Sequence, residues 1–99
     1  MTKAERIVRI VRIAIIGDFN PEYETHHAIN RSLVHAAEAL GIRMESKWVA
    51  TGCVERGAEK ILRKYDGLFV ASGSPYRSME GAFAAIGFAR TQGWPLIGT

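Results

Sequence analysis

Ile10-Val11-Arg12-Ile13-Ala14-Ile15-Ile16-Gly17-Asp18 is the stretch on which the fold turns. From Ile10 to Ile16 every residue is apolar except Arg12. A strand with one wet face alternates apolar and polar residues, whereas a strand covered on both faces runs nearly continuously apolar and belongs to a parallel sheet. The run stops at Gly17-Asp18, a turn signal. Three more runs follow. Ile42 to Val49 alternates, with Ile42, Met44, Ser46 and Trp48 against Arg43, Glu45, Lys47 and Val49, so one face is solvated and the strand is expected at an edge. Leu68 to Ala71, entered through Asp66-Gly67, is again fully apolar, and Pro95 to Gly98 is the fourth.

Helical patterns separate these runs. Glu24 to Leu40 places Ala28, Ile29, Leu33, Ala36, Ala37 and Leu40 on one face and ends at Gly41. A shorter helix is expected from about Val54 to Lys64, with Ala58, Ile61 and Leu62 inward. The third starts at Ser78 as N-cap and runs through Ala82, Phe83, Ala85, Ile86 and Ala89 to Gly93. Strands alternating with helices predict an α/β domain of three layers, and right-handed crossovers order its mostly parallel sheet 2-1-3-4, a flavodoxin-like doubly wound arrangement.

The chain has 99 residues, 47% of them hydrophobic, which supports one small domain. Its formal net charge of +3 rests on 13 basic residues, scattered apart from Arg6, Arg9 and Arg12. No basic block with interleaved aromatics is present, so no nucleic-acid partner is expected. The one cysteine, Cys53, excludes an internal disulfide; with a charged start and no apolar run of spanning length, a cytoplasmic setting without a membrane partner is expected.

In open α/β sheets ligands collect at the carboxyl ends of the strands. The informative loops are therefore Gly17 to Glu24, Ala50 to Gly52, Ser72 to Met79 and whatever follows Thr99. The segment Ser72-Gly73-Ser74-Pro75 leaves a buried strand and enters a helix near Ser78, where free backbone N–H groups suit an anion or a developing oxyanion; Gly73 and Pro75 equally suit a plain turn. Asp18, Asn20 and Glu22 form an acidic, turn-rich loop, and Tyr76 with Arg77 offers a guanidinium fork for a carboxylate. No cofactor is expected. Asp18-Phe19-Asn20-Pro21 would repel a phosphate, no Gly-x-Gly-x-x-Gly follows the first strand, and Ser72 stands where a phosphorylated Asp would sit. Nor is a metal expected: His26 and His27 diverge by about 100° on a helix and cannot share one ion, so they read as surface or pocket polar groups. Cys53 lies outside any strand-to-helix elbow and reads as an unreactive residue rather than a nucleophile.

Taken together, Lys47-Trp48-Val49, Tyr65-Asp66-Gly67-Leu68-Phe69-Val70, Gly73 with Tyr76-Arg77 and Glu80-Gly81, Ala84-Ala85-Ile86 with Phe88-Ala89-Arg90, and Pro95-Leu96-Ile97-Gly98 resemble the class I glutamine amidotransferase domain of CTP synthases. Ile13 to Gly17 and Glu38-Ala39-Leu40 fit the same domain, so the resemblance runs over residues 10–99. It implies that residues 1–99 are the N-terminal part of such a domain, cut at its fourth strand. It also implies an oxyanion and substrate loop on Ser72, Gly73 and Ser74, since the family reads Pro-Gly-Gly-Phe-Gly where this chain reads Ala71-Ser72-Gly73-Ser74-Pro75; Asp18, Asn20, Tyr76, Arg77 and Thr99, at the strand ends, are the expected rim.

In the family a nucleophilic cysteine follows the residue that Thr99 matches, and its partner His and Glu lie far downstream. The resemblance thus puts a Cys at position 100, or a selenocysteine as in a relative where that residue is read from a stop codon; an arbitrary boundary is the alternative. Glutamine, or another small-molecule amide, is the implied substrate of the longer protein, and the 99 residues alone are expected to be inactive. The competing reading is a non-catalytic α/β binding or oligomerisation module that self-associates through the open edge of strand four.

Overall fold

The computed structural model describes residues 10–71 and 76–98. Its elements are β1 (Ile10–Ile16), α1 (Glu24–Leu40), β2 (Arg43–Val49), α2 (Thr51–Leu62), β3 (Gly67–Val70), α3 (Met79–Gln92) and β4 (Leu96–Gly98). All strand pairs are parallel, and the sheet order is β2-β1-β3-β4. The expected topology and the edge position of β2 are both present.

Handedness distributes the helices. The step from β1 to β2 runs one way across the sheet, and the steps from β2 to β3 and β3 to β4 run the other way, so right-handed crossovers put α1 on one face and α2 and α3 on the opposite one. Successive residues of a strand point to opposite faces. Ala14 and Ile16 accordingly join Val49, Val54, Leu62, Leu68, Val70, Ala85, Phe88 and Ala89 in the core under α2 and α3. Ile15 joins Ile29 and Ala71 under α1, with Leu33, Trp48 and Phe69 packed around them.

Several boundaries and faces differ from the sequence pattern. Helix α2 begins at Thr51, not Val54, because the Thr51 N–H is taken up at once by the Asp18 carboxylate (3.1 Å). Strand β2 begins at Arg43, since the Ile42 N–H is engaged by Ala37 C=O in the turn that closes α1 at Gly41, whose φ is 65°. Of the α1 face, Ala36 and Leu40 are exposed: one helix covers this side of the sheet and reaches only part of it. On α3 the apolar face includes Phe88, and Phe83 is 60% exposed. The reason is backbone proximity, because α3 meets α2 through Gly81, Ala82 and Ala85, and that rotation turns position 83 outward.

Gly81 is where this contact is tightest. A Cβ there would lie 1.8 Å from the Thr51 carbonyl oxygen, so no side chain fits without moving the start of one helix. Ser78 caps α3 as the sequence suggests, its Oγ accepting the Gly81 N–H at 3.0 Å. We expect Gly81→Ala to lower stability by about 1–3 kcal/mol or more through overpacking against backbone. Gly87, in the same helix with open space around it, makes the control: Gly87→Ala should raise stability by about 0.5–1 kcal/mol through helix propensity. Urea denaturation of both variants measures the two signs.

Candidate functional site

Three loops meet at the carboxyl ends of β1, β2 and β3, and the Asp18 carboxylate joins them. Gly17 lets β1 end tightly, since a Cβ there would be 3.0 Å from Ala71 Cβ and 3.1 Å from the Trp48 ring. Asp18 Oδ1 accepts the Thr51 N–H (3.1 Å), and Oδ2 accepts both the Thr51 hydroxyl (2.7 Å) and the Arg77 N–H (2.8 Å). Thr51 Oγ1 in turn accepts the Ser78 N–H at 2.9 Å, and Ser78 Oγ donates to Glu55 at 2.8 Å. The carboxylate therefore ties together the loop after β1, the start of α2 and the entrance to α3.

Partial burial by itself raises the pKa of Asp18. The hydrogen bonds from Arg77 N–H and from the Thr51 hydroxyl and N–H, with the charge of Arg77, together outweigh it and hold the carboxyl below its ordinary value. Tyr76, half-buried, donates its hydroxyl to the Ala71 carbonyl, and burial pushes its pKa up.

Beside this hub lies an aromatic group. The His26 ring is 0% exposed and sits between Phe19, Tyr23 and Trp48, with ring centroids 5.8, 5.3 and 4.7 Å away. His26 Nδ1 accepts the Asn20 N–H at 2.9 Å, so the neutral ring carries its hydrogen on Nε2. Asn20 Oδ1 accepts the Glu22 N–H at 2.9 Å and tightens the same turn. His27 bonds the Pro21 carbonyl oxygen at 2.7 Å. The expectation of surface or pocket roles for the two histidines is corrected for His26, which is a core residue: as the first inward position of α1 it meets the sheet at Trp48.

Two cavities open on this rim and share Asp18, Phe19 and Arg77. One, of about 420 Å³, adds Asn20, Pro21, Tyr23 and Tyr76. The other, of about 410 Å³, adds Ala50, Gly52, Cys53 and Arg56. The structure thus brings Asp18, Asn20, Tyr76 and Arg77 together, as the sequence placed them. Ser72, Gly73, Ser74 and Thr99 lie outside the described residues. Among the described residues no group of three His, Cys, Asp or Glu side chains converges as a metal site. Cys53 is exposed, with Arg56 Nη2 at 3.9 Å from its sulfur.

Thr51, buried at 0% exposure, is the rim residue that sequence reasoning missed. Its signal was a hydroxyl residue directly after a strand and opposite an acidic first loop. The role of Asp18 also differs from a free acidic group on a loop, since all three of its bonds are internal.

An α/β sheet of order 2-1-3-4 with its rim at the carboxyl ends is a doubly wound architecture that class I glutamine amidotransferase domains share with flavodoxin-like folds, and the comparisons place this chain with the former. Within that class the chain is similar to CTP synthases. It is 32% identical over 89 residues to the CTP synthase of Campylobacter jejuni, a match covering 89% of this chain and 16% of that protein. Over 96 residues it is 30% identical to the CTP synthase of Thermococcus gammatolerans, covering 97% and 18%. It superposes with a TM-score of 0.78 and 30% identity on the glutaminase domain of Trypanosoma brucei CTPS with bound acivicin, covering 89% of this chain and 35% of that one. No family model matches the chain. The chain therefore spans less than a fifth of the CTP synthases it resembles.

The bonds of Asp18 make the rim sensitive to pH. A carboxyl held below its ordinary value contributes stability in full above about pH 4, the unfolded value, and loses it as pH falls through the lower folded value. Asp18→Ala should cost about 2–3 kcal/mol at pH 7 by stripping the acceptors from three donors. For Asp18→Asn, the gap in Tm to the parent should be wide at pH 7 and close as the pH falls below the carboxylate range. Thermal melts across pH check the slope.

Proposed function

We propose that the chain is the N-terminal part of a glutamine amidotransferase domain of CTP synthase type, and that the longer protein releases ammonia from glutamine or a related small amide. The observation that carries this reading is the joint match in sequence and fold to a CTPS glutaminase domain, at 30% identity and a TM-score of 0.78. In this reading the loop on Ser72, Gly73 and Ser74 supplies backbone N–H groups to the oxyanion, and Thr99 precedes a Cys or Sec nucleophile at position 100. Asp18 accepts the backbone N–H of Arg77, which follows that loop in the sequence. Among the described residues no helix is long and apolar enough to cross a membrane.

The 99 residues by themselves hydrolyse no glutamine in this reading. Their single thiol, Cys53, sits near the start of α2 with Arg56 Nη2 at 3.9 Å from its sulfur. We expect no ammonia release from glutamine by the 99-residue chain, and release by a version extended through the nucleophile, His and Glu. Turnover by the 99 residues would refute the assignment, and the codon at position 100 separates Cys from Sec.

A second reading, a non-catalytic module that self-associates through β4, draws on Ile97. That side chain is 61% exposed and borders an apolar cavity of about 210 Å³ with Ile13, Leu33, Ala36, Phe69 and Pro95. In the amidotransferase reading this face receives the rest of the domain. Ile97→Asp separates the two: it dissociates an assembly built on β4 and leaves any other assembly intact, as light scattering would register.

A further inference from the structure

At the opposite edge of the sheet, β2 pairs only with β1 among the described residues, leaving a seven-residue edge. The Gly17 N–H donates to the Val49 carbonyl at 3.1 Å, so the backbone groups of Val49 face β1. Backbone groups alternate along a strand, so those of Arg43, Glu45 and Lys47 face β1 too, and Met44, Ser46 and Trp48 aim their N–H and C=O groups outward. Open edges of this length invite another strand, and natural proteins usually blunt them with charge. Here the charges alternate in sign, Arg43, Glu45, Lys47, and all lie on the face away from α1. Such a row can repel a copy of itself or complement it, depending on register.

We propose that this edge is a homodimer interface, in which β2 pairs antiparallel with β2 of a second copy about a two-fold axis at Ser46. That register uses the whole strand. Ser46 opposes its own copy and Met44 opposes the partner's Trp48, which satisfies every outward N–H and C=O of the three. On the other face Glu45 opposes the partner's Lys47, and the same ion pair recurs across the axis; opposite charges directly across a strand pair stabilise it and like charges do the reverse. Glu45 already has Arg12 Nε at 3.6 Å, and the partner's lysine adds a second cation to it.

Other registers are poorer. Centring on Glu45 sets Glu45 against itself and Arg43 against Lys47, all like charges. Centring on Met44 pairs Arg43 with Glu45 but runs the strand into the Gly41 turn and overlaps only residues 42–46. The α1 side fits the same dimer. A groove of about 300 Å³ lined by Leu33, Val34, Ala37, Ile42, Met44 and Ser46 runs along this edge, and Val34 is 56% exposed on its wall. A second α1 brought alongside by the two-fold covers that groove.

This dimer is independent of the amidotransferase reading and of β4. Sedimentation of the 99-residue chain at about 0.1 mM should give a dimer, unchanged by Ile97→Asp. Glu45→Lys and Lys47→Glu, each alone, should raise the dissociation constant at least roughly tenfold, and the double exchange should restore it. In a Cys53→Ser background, Ser46→Cys should form a disulfide-linked dimer under oxidation, since an opposed pair brings its Cα atoms to about 5.5 Å. A monomer at that concentration, a dimer indifferent to the single charge reversals, failure of the double exchange to restore it, or no cross-link at position 46 would each overturn the interface.

Discussion

Asp18 accepts hydrogen bonds from groups that belong to two other loops, and the geometry of the rim follows from that. Its carboxylate starts α2 by taking the first N–H, holds Thr51 so that its hydroxyl can receive Ser78, and fixes the backbone at Arg77. Ser78 then caps α3. A parallel sheet leaves its strand ends to be joined by loops far apart in sequence, and a charged acceptor with several lone pairs is well suited to pin them. Without that carboxylate the start of α2 and the entrance to α3 would each have donors to satisfy elsewhere.

The same region shows why α2 and α3 pack so closely. Thr51 is both the bonding partner of Asp18 and the residue whose carbonyl lies against Gly81. The polar hub and the closest helix contact thus share one residue. A small change at either place reaches the other, since a rigid core transmits displacement rather than absorbing it. The aromatic group around His26 plays a parallel role on the α1 side, bonding the Asn20 backbone and filling the space between α1 and Trp48.

The likeness to CTP synthase glutaminase domains extends over most of this chain and only a fraction of those proteins. Chemistry of that class needs oxyanion donors, a nucleophile and a base drawn from several strand ends. Asp18, Asn20, Tyr76 and Arg77 cluster at the strand ends, around cavities of about 420 and 410 Å³. The two edges of the sheet differ in kind: β4 is short with an exposed apolar residue, and β2 is long, charged and self-complementary.

From sequence alone came the elements whose cause is local: the β1 run, the alternation that puts β2 at an edge, α1 ending at Gly41, the Ser78 cap, and through crossover handedness the strand order. These depend on periodicity and on residues a few positions apart, so they can be read along the chain. The site was legible to the extent that strand ends define it, which is why Asp18, Asn20, Tyr76 and Arg77 were singled out. Tertiary structure alone decided that Thr51 is buried at the hub, that His26 is a core residue, that α2 starts early and that Phe88 rather than Phe83 faces inward. Each of these depends on a contact between segments distant in sequence: Asp18 with Thr51, His26 with Trp48, Gly81 with the Thr51 carbonyl. Helix rotation and helix start are set by such approaches, and no pattern within one segment encodes the position of the other.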